Sequence, residues 1–318
     1  MRAFPIIPIW LMIIICITLI IIILKTTKRK THIVIVILLF IINLRFMIPT
    51  GSSTTMANNI DVLIVIDNTL SMNAEDYGQQ EKRLVGVKQD CKRIITELLG
   101  AKFSVITFSN DAKILVPFTK DAVMVQETID MIEPIEELYA RGSSLNTPKE
   151  DINQILNSSY KKDKDRLRIL FFISDGEITD DSKLESYSSL KKYIDDGAVL
   201  GYGTTKGGYM KYVDKYLSDE EKYVKDYSSL SADNKAISKI DEANLKRIAN
   251  NLGISYIHMD NTSKIDSKLD SIKMKMTSEM ASSKKSNYED IYYIFVFPLL
   301  LLMVLDFKRI WRKIIWKK

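Results

Sequence analysis

Cysteine and histidine are scarce in this 318-residue chain, with two of each: Cys16, Cys91, His32 and His258. Cys16 lies inside a long apolar run and Cys91 on the apolar face of a predicted helix, so the two cannot easily meet. No disulfide is expected, and stability must come from a core and a bound ion rather than covalent staples. There is no H-E-x-x-H metal motif, no G-x-S-x-G elbow and no G-x-x-x-x-G-K-[ST] phosphate loop. His258, at the end of a predicted strand, reads as a packing residue. A metal-dependent hydrolase would use carboxylates and an ion to activate water, but this chain offers no evident general base and no second metal set. No internal repeat is detectable.

Basic charge is missing from the region where nucleic acid would need it. The chain is +5 overall, yet residues 49–288 carry a net charge of −4. The positive excess sits in Lys25–Lys30 and in the tail after Asp306. A mildly acidic middle region speaks against nucleic-acid binding. Basic clusters beside apolar runs speak for a membrane.

Phe4–Leu24 is uncharged over 21 residues. At ~1.5 Å per residue it spans the ~30 Å hydrocarbon core. A signal peptide is the rival reading, but the run is long for one and no small-x-small cleavage site follows. A second run, Ile33–Ile48, contains Asn43 and Arg45, and Arg45 is expected to reach the headgroups at the far interface. A third, Ile291–Leu305, is flanked by Tyr292, Tyr293 and Phe307; an amphipathic surface helix is its alternative. The positive-inside rule puts both basic clusters in the cytoplasm. That requires two N-terminal crossings and one C-terminal crossing, with the middle region outside the cell membrane. The predicted order is two transmembrane helices in 1–48 with a basic cytoplasmic loop at 25–32, a linker at 49–60, a folded domain at 61–261, a linking helix at 262–287, a transmembrane helix at 288–307 and a basic cytoplasmic tail at 308–318.

Within the folded domain, apolar runs alternate with amphipathic stretches. Val62–Ile66 and Ile169–Ile173 read as strands buried on both faces. Phe103–Phe108, Lys113–Val116, Ala198–Tyr202 and Ile254–His258 are further strands. Lys82–Leu99, Asp121–Ile132, Pro148–Asn157, Lys183–Asp195 and Glu242–Asn251 are predicted helices. The alternation predicts an α/β fold, a doubly wound and mostly parallel sheet. Residues 204–240, rich in Gly, Tyr, Lys, Asp and Ser, break the rhythm and read as a surface excursion suited to protein contact. Thr262–Met280 places Ile265, Leu269, Ile272 and Met276 at helical spacing, a helix that packs on the domain.

The chemistry gathers at strand ends. Asp67-Asn68-Thr69-Leu70-Ser71 follows the first buried strand and delivers a carboxylate and two hydroxyls at alternate positions to the carboxyl edge, where open α/β sheets collect ligands. Such oxygens suit a hard divalent cation such as Mg²⁺. The second buried strand ends in Ser174-Asp175-Gly176-Glu177 and brings Asp175 to the same edge. Between them Arg141-Gly142-Ser143-Ser144-Leu145 offers another hydroxyl, from Ser143 or Ser144. The plainer reading is that Asp67 caps a helix and Asp175 opens a turn. Asp111, in a turn between two strands, reads as turn chemistry.

These three elements, in this order, resemble the metal-ion-dependent adhesion site of von Willebrand factor A domains. The resemblance implies that Asp67, Thr69, Ser71, Ser143 and Asp175 surround an ion, Mg²⁺ or else Mn²⁺ or Ca²⁺, directly or through water. Thr69 stands where that family more often has Ser, and Ser143 where it more often has Thr; both keep the hydroxyl. Ser71-Met72-Asn73-Ala74-Glu75-Asp76 followed by Arg83-Leu84, Gly201-Tyr202-Gly203-Thr204, and the helix from Asp241 to Ala249 resemble bacterial aerotolerance membrane proteins of the BatA/BatB kind. That resemblance implies a Rossmann-like sheet, a binding protein rather than an enzyme, and a partner that presents an Asp or Glu to the ion. It also implies other Bat-type proteins and a MoxR-type AAA+ ATPase as associates in envelope maintenance or stress tolerance. The alternatives are the hydrolase above and a structural membrane component with a vestigial metal site.

Overall fold

The computed structural model describes residues 2–3, 5–26, 30–49, 59–213, 221–226, 234–282 and 288–315. They form two compact units, one built from both chain ends and one from residues 56–279. The second unit holds β1 (Ile60–Asp67), α1 (Arg83–Glu97), β2 (Lys102–Phe108), β3 (Ala112–Thr119), α2 (Ala122–Asp130), α3 (Lys149–Lys162), β4 (Leu167–Ser174), β5 (Asp196–Tyr202), α4 (Glu242–Leu252), β6 (Ser255–Met259) and α5 (Asp266–Ser282). The strands lie in the order β6-β5-β4-β1-β2-β3, all parallel except β3, which pairs antiparallel with β2. This is the predicted α/β architecture.

Burial on both faces explains the unbroken apolar strands. Every residue of β1 is buried, and a period of two sends its side chains to opposite faces. Val62, Ile64 and Ile66 meet Leu84, Val87, Cys91 and Ile94 of α1, Val125 and Ile129 of α2, and Leu269, Ile272 and Met276 of α5. Leu63 and Val65 meet Ile152 and Leu156 of α3 and Leu245, Ile248 and Leu252 of α4. Cys16 and Cys91 are both free, and they belong to different units. Local signals set the helix ends. The Asp121 and Asp241 side chains accept from Met124 N and Asn244 N, and Gly253 closes α4 at φ 74°. From β1 the chain goes to β2 on one side, while β4 lies on the other. The carboxyl ends of β1 and β4 therefore flank the switch point of the sheet, where a crevice opens.

The predicted helix at Lys183–Asp195 does not form; only a short 3-10 turn, Ser188–Tyr193, is present. Side chains take the backbone groups a helix would use. Asn146 Nδ2 donates to Lys183 O and its Oδ1 accepts from Glu185 N. Arg247 donates to Leu184 O, and Asn251 Oδ1 accepts from Tyr187 N. The predicted excursion interrupts the strand and helix alternation, and its described residues mix buried and exposed positions. Its described parts are two short antiparallel pairs, Gly208–Tyr209 with Ile237–Ser238 and Lys211–Val213 with Glu221–Tyr223; residues 214–220 and 227–233 of that prediction lie outside the described residues, as do 50–58 of the predicted linker.

In the unit formed by the chain ends, Ile9–Thr26 packs on Lys30–Asn43, which packs on Tyr293–Ile315. Among the described residues Ile9–Thr26 is the one helix long and apolar enough to cross a membrane. The predicted second crossing is shorter than its apolar run. Its helix has 14 residues, about 21 Å at ~1.5 Å per residue. Asn43 ends it by accepting from Ile7 N at 2.9 Å and donating to Ile7 O at 3.2 Å. Phe46–Pro49 then becomes the middle strand between Arg2–Ala3 and Tyr288–Asp290. Arg45, 40% exposed in its side chain, holds the Asp290 carboxylate through Nε and Nη2 at 2.8 and 2.7 Å. The third helix begins at Tyr293 rather than 288, because 288–290 are strand, and continues past Lys308. His32 Nε2 lies 2.9 Å from Asp306 Oδ2, joining the second helix to the third.

Candidate metal centre

β1 ends at Asp67, and the backbone turns at once. Asp67 Oδ1 accepts from Thr69 N at 2.9 Å and Thr69 Oγ1 at 2.6 Å, a local turn that Asp favours over continued strand. A 3-10 turn, Leu70–Asn73, follows and brings Ser71 Oγ within 2.8 Å of Thr69 Oγ1. Asp67, Thr69 and Ser71 thus form one hydrogen-bonded chain, and all three are buried.

β4 runs in parallel register with β1, pairing Ile173 with Ile66. That register sets Ser174 beside Asp67, and Ser174 Oγ donates to Asp67 Oδ2 at 2.6 Å. Gly176 N donates back to Ser174 Oγ, with Gly176 at φ 82°; an added Cβ there would meet Asp241 O at 2.4 Å. Asp175, 1% exposed, accepts from Glu177 N on Oδ1 at 3.1 Å and from Arg83 Nη1 on Oδ2 at 2.8 Å.

Ser143 is buried and tied to the loop after Asp175. Its Oγ donates to Glu177 O at 3.0 Å, its N donates to Thr179 Oγ1 at 2.8 Å, and its O accepts from Thr179 N. Ser144 instead pairs with Ser182 at 3.0 Å and lines a separate cavity with Asn110, Asp111, Arg141 and Asp180. Four of the five predicted residues, Asp67, Thr69, Ser71 and Asp175, lie at the β1–β4 crevice. Ser143 reaches it through the backbone of 177–179.

Three participants escaped the sequence reading. Ser174 follows from strand register alone. Glu177, directly after the second motif, has its carboxylate on Ser238 Oγ at 2.7 Å and Lys239 N at 2.8 Å. Arg83 is fully buried and holds Asp76 through Nε and Nη2 at 2.7 and 2.9 Å as well as Asp175. Its signal was present: a charged residue at helical spacing from Val87, Cys91 and Ile94 sits on an apolar stripe and needs a buried partner.

The electrostatics are unbalanced. Asp76, Asp175 and Glu177 gather around one guanidinium, and Asp67 lies beside Asp175 with no cation of its own among its described partners. Burial, and then the Asp175 charge, push Asp67 up to about 7, against hydrogen bonds from Ser174 and Thr69 that favour its charged form. Burial and Asp175 likewise raise Glu177. Burial would raise Asp76 too, but its ion pair with Arg83 leaves it below the usual carboxylate range. Among the described residues no group of three or more His, Cys, Asp or Glu is placed to hold a metal. The oxygens at the crevice are those of two carboxylates, Asp67 and Asp175, and of neutral hydroxyls, Thr69 and Ser71. That set, with excess negative charge in a buried crevice, fits a hard divalent cation.

The von Willebrand factor type A domain family matches residues 62–177. Comparison with curated proteins finds no match. Among solved structures, BatB from Bacteroides thetaiotaomicron is similar at 25% identity and a TM-score of 0.53, over 70% of this chain and 100% of that one. An aerotolerance-related membrane protein from Bacteroides fragilis is similar at 21% identity and a TM-score of 0.52, over 69% of this chain and 99% of that one. Ile9–Thr26, with a mean hydropathy of 2.8, has the length and apolarity of a membrane-crossing helix.

Proposed function

This chain carries a von Willebrand factor type A domain and is Bat-like, and from that premise we propose that it binds a protein partner through a divalent ion at the carboxyl edge of its sheet. The observation that carries the reading is the buried pair of carboxylates, Asp67 and Asp175, converging beside Thr69 and Ser71 with too little positive charge to balance them.

Asp67 and Asp175 supply the charge that would hold Mg²⁺, Mn²⁺ or Ca²⁺, and Thr69 and Ser71 supply neutral oxygens. Ser143 would join through the loop it braces. When bound, the ion offers an electron-poor position that an Asp or Glu of the partner occupies. Neutral hydroxyl donors leave that ion more demanding of the incoming carboxylate than a cage of acids would. The buried strands hold the donors in place, so binding pays little for ordering them. By its resemblance to Bat-type proteins the chain works beside other members of that family and a MoxR-type AAA+ ATPase, as a binding component rather than an enzyme. Three membrane crossings, with the domain outside and the basic segments in the cytoplasm, follow from the positive-inside argument.

Affinity capture from native membranes tests the reading. The full chain should retain a partner with Mg²⁺, lose it with EDTA, and lose it in Asp67→Ala and Asp175→Ala even with Mg²⁺. Capture indifferent to EDTA and to both substitutions would remove the metal from the function.

A further inference from the structure

Arg83 does more than balance charge. Its Nη1 is shared by Asp175 Oδ2 at 2.8 Å, Ser238 Oγ at 2.7 Å and Ser71 O at 3.4 Å. Its Nη2 also donates to Ser238 O at 3.0 Å. Asp76, gripped by the other side of the guanidinium, accepts from Thr204 N at 2.7 Å and Thr204 Oγ1 at 3.0 Å through Oδ2. Gly203, at φ 114°, lies so close that an added Cβ would stand 2.6 Å from the guanidinium carbon. Thr204 begins the excursion and Ser238 lies near its end. Both roots of the excursion therefore rest on one buried cation, and that cation also holds a carboxylate of the candidate metal centre.

We propose that Arg83 competes with the divalent ion for Asp175, so that metal loading loosens the roots of the excursion and a firmly rooted excursion weakens metal binding. This rests on the metal reading above. Asp175 Oδ2 faces Arg83 Nη1 at 2.8 Å and Ser238 Oγ at 3.5 Å, while Oδ1 accepts from Glu177 N, so an ion held by this carboxylate draws on the same negative charge that holds Arg83. A doubly charged ion near a guanidinium in a buried crevice repels it and draws off its counter-charge. Linkage makes the effect reciprocal: whatever loosens the excursion tightens the metal by the same factor. The excursion then reports occupancy of the site to whatever it touches.

Hydrogen exchange of the full chain in detergent micelles, with Mg²⁺ or with EDTA, tests this together with the Mg²⁺ affinity. Mg²⁺ should slow exchange at 67–72 and 174–177 while speeding it about fivefold or more at 204–213 and 234–240. The double replacement Asp76→Asn with Arg83→Met removes the pair jointly, so no charge of the pair is left buried alone. It should exchange quickly in the excursion even with EDTA and bind Mg²⁺ about fivefold more tightly, and Arg83→Lys should return the weaker affinity. An arginine of purely structural use would give the opposite sign, because its removal would disorder the site and weaken Mg²⁺. If the double variant lacks a cooperative unfolding transition, Thr204→Val serves instead: it removes the hydroxyl bond to Asp76, keeps the amide bond and so weakens one root, leaves Arg83 on Asp175, and should tighten Mg²⁺ in the same direction by a smaller factor. An excursion that Mg²⁺ slows or leaves unchanged, while 67–72 and 174–177 are protected, overturns the competition but keeps the metal site. No Mg²⁺ effect at 67–72 and 174–177 overturns both.

Discussion

Asp67 ends β1 and Asp175 directly follows the neighbouring β4, one residue out of register, and both are almost wholly out of water. They are balanced in opposite ways. Asp67 receives only neutral donors, from Thr69 and Ser174, and is pushed up to about 7 by burial and by its neighbour. Asp175 receives a guanidinium and a backbone amide. Burial alone therefore does not decide the state of a carboxylate; the charge of the group facing it does. One carboxylate of the pair has its cation built in, and the other is left with hydroxyls and unspent negative charge, which is what a site for an exchangeable ion requires.

The comparison can be broken most forcefully by substitution. Asp175→Ala strips a partner from a buried guanidinium and should cost about 3 kcal/mol or more, read as a lower denaturation midpoint of the metal-free full chain. Asp67→Asn removes a charge that burial disfavours and should instead gain roughly 2–4 kcal/mol at pH 8 without metal. Equal losses in the two variants would show that the neighbours of these carboxylates do not differ in the way described.

A pH series sharpens the same contrast. Asp67 has a folded-state value near 7, above its ordinary 3.8. Its contribution to stability is complete below about pH 4 and is lost as pH rises through about 7. The melting temperature of the metal-free chain should fall across that window, and Asp67→Asn should lack that part of the fall. Mg²⁺, which favours the ionised form, should flatten the wild-type curve. The smallest effects concern the hydroxyls. Ser174→Ala should cost about 1 kcal/mol and move the pH midpoint of the Asp67 effect upward, because that hydrogen bond favours the charged form.

Much of this was readable from the chain. Val62–Ile66 and Ile169–Ile173 announced two-sided burial through unbroken apolar runs, and motifs directly after them put Asp67 and Asp175 on one edge. Where backbone groups are satisfied at long range, the reading failed. Lys183–Asp195 has helical spacing, yet Asn146, Arg247 and Asn251, each remote in sequence, take its amides and carbonyls. Apolarity likewise overstated the second membrane segment, because Asn43 finds its partner at Ile7 and ends the helix. Arg83 was visible as a charge on an apolar stripe, but its four-way contact with Asp76, Asp175, Ser71 and Ser238 depends on the excursion folding back, which no local pattern encodes.

Counting bound Mn²⁺ by electron paramagnetic resonance tests the metal centre most directly. Full-length protein at pH 7.5 should bind one ion per chain, released by EDTA and displaced by Mg²⁺, and both Asp67→Ala and Asp175→Ala should bind none while remaining folded. Mn²⁺ bound in equal amount by the wild type and both variants, or by none of the three, would contradict it.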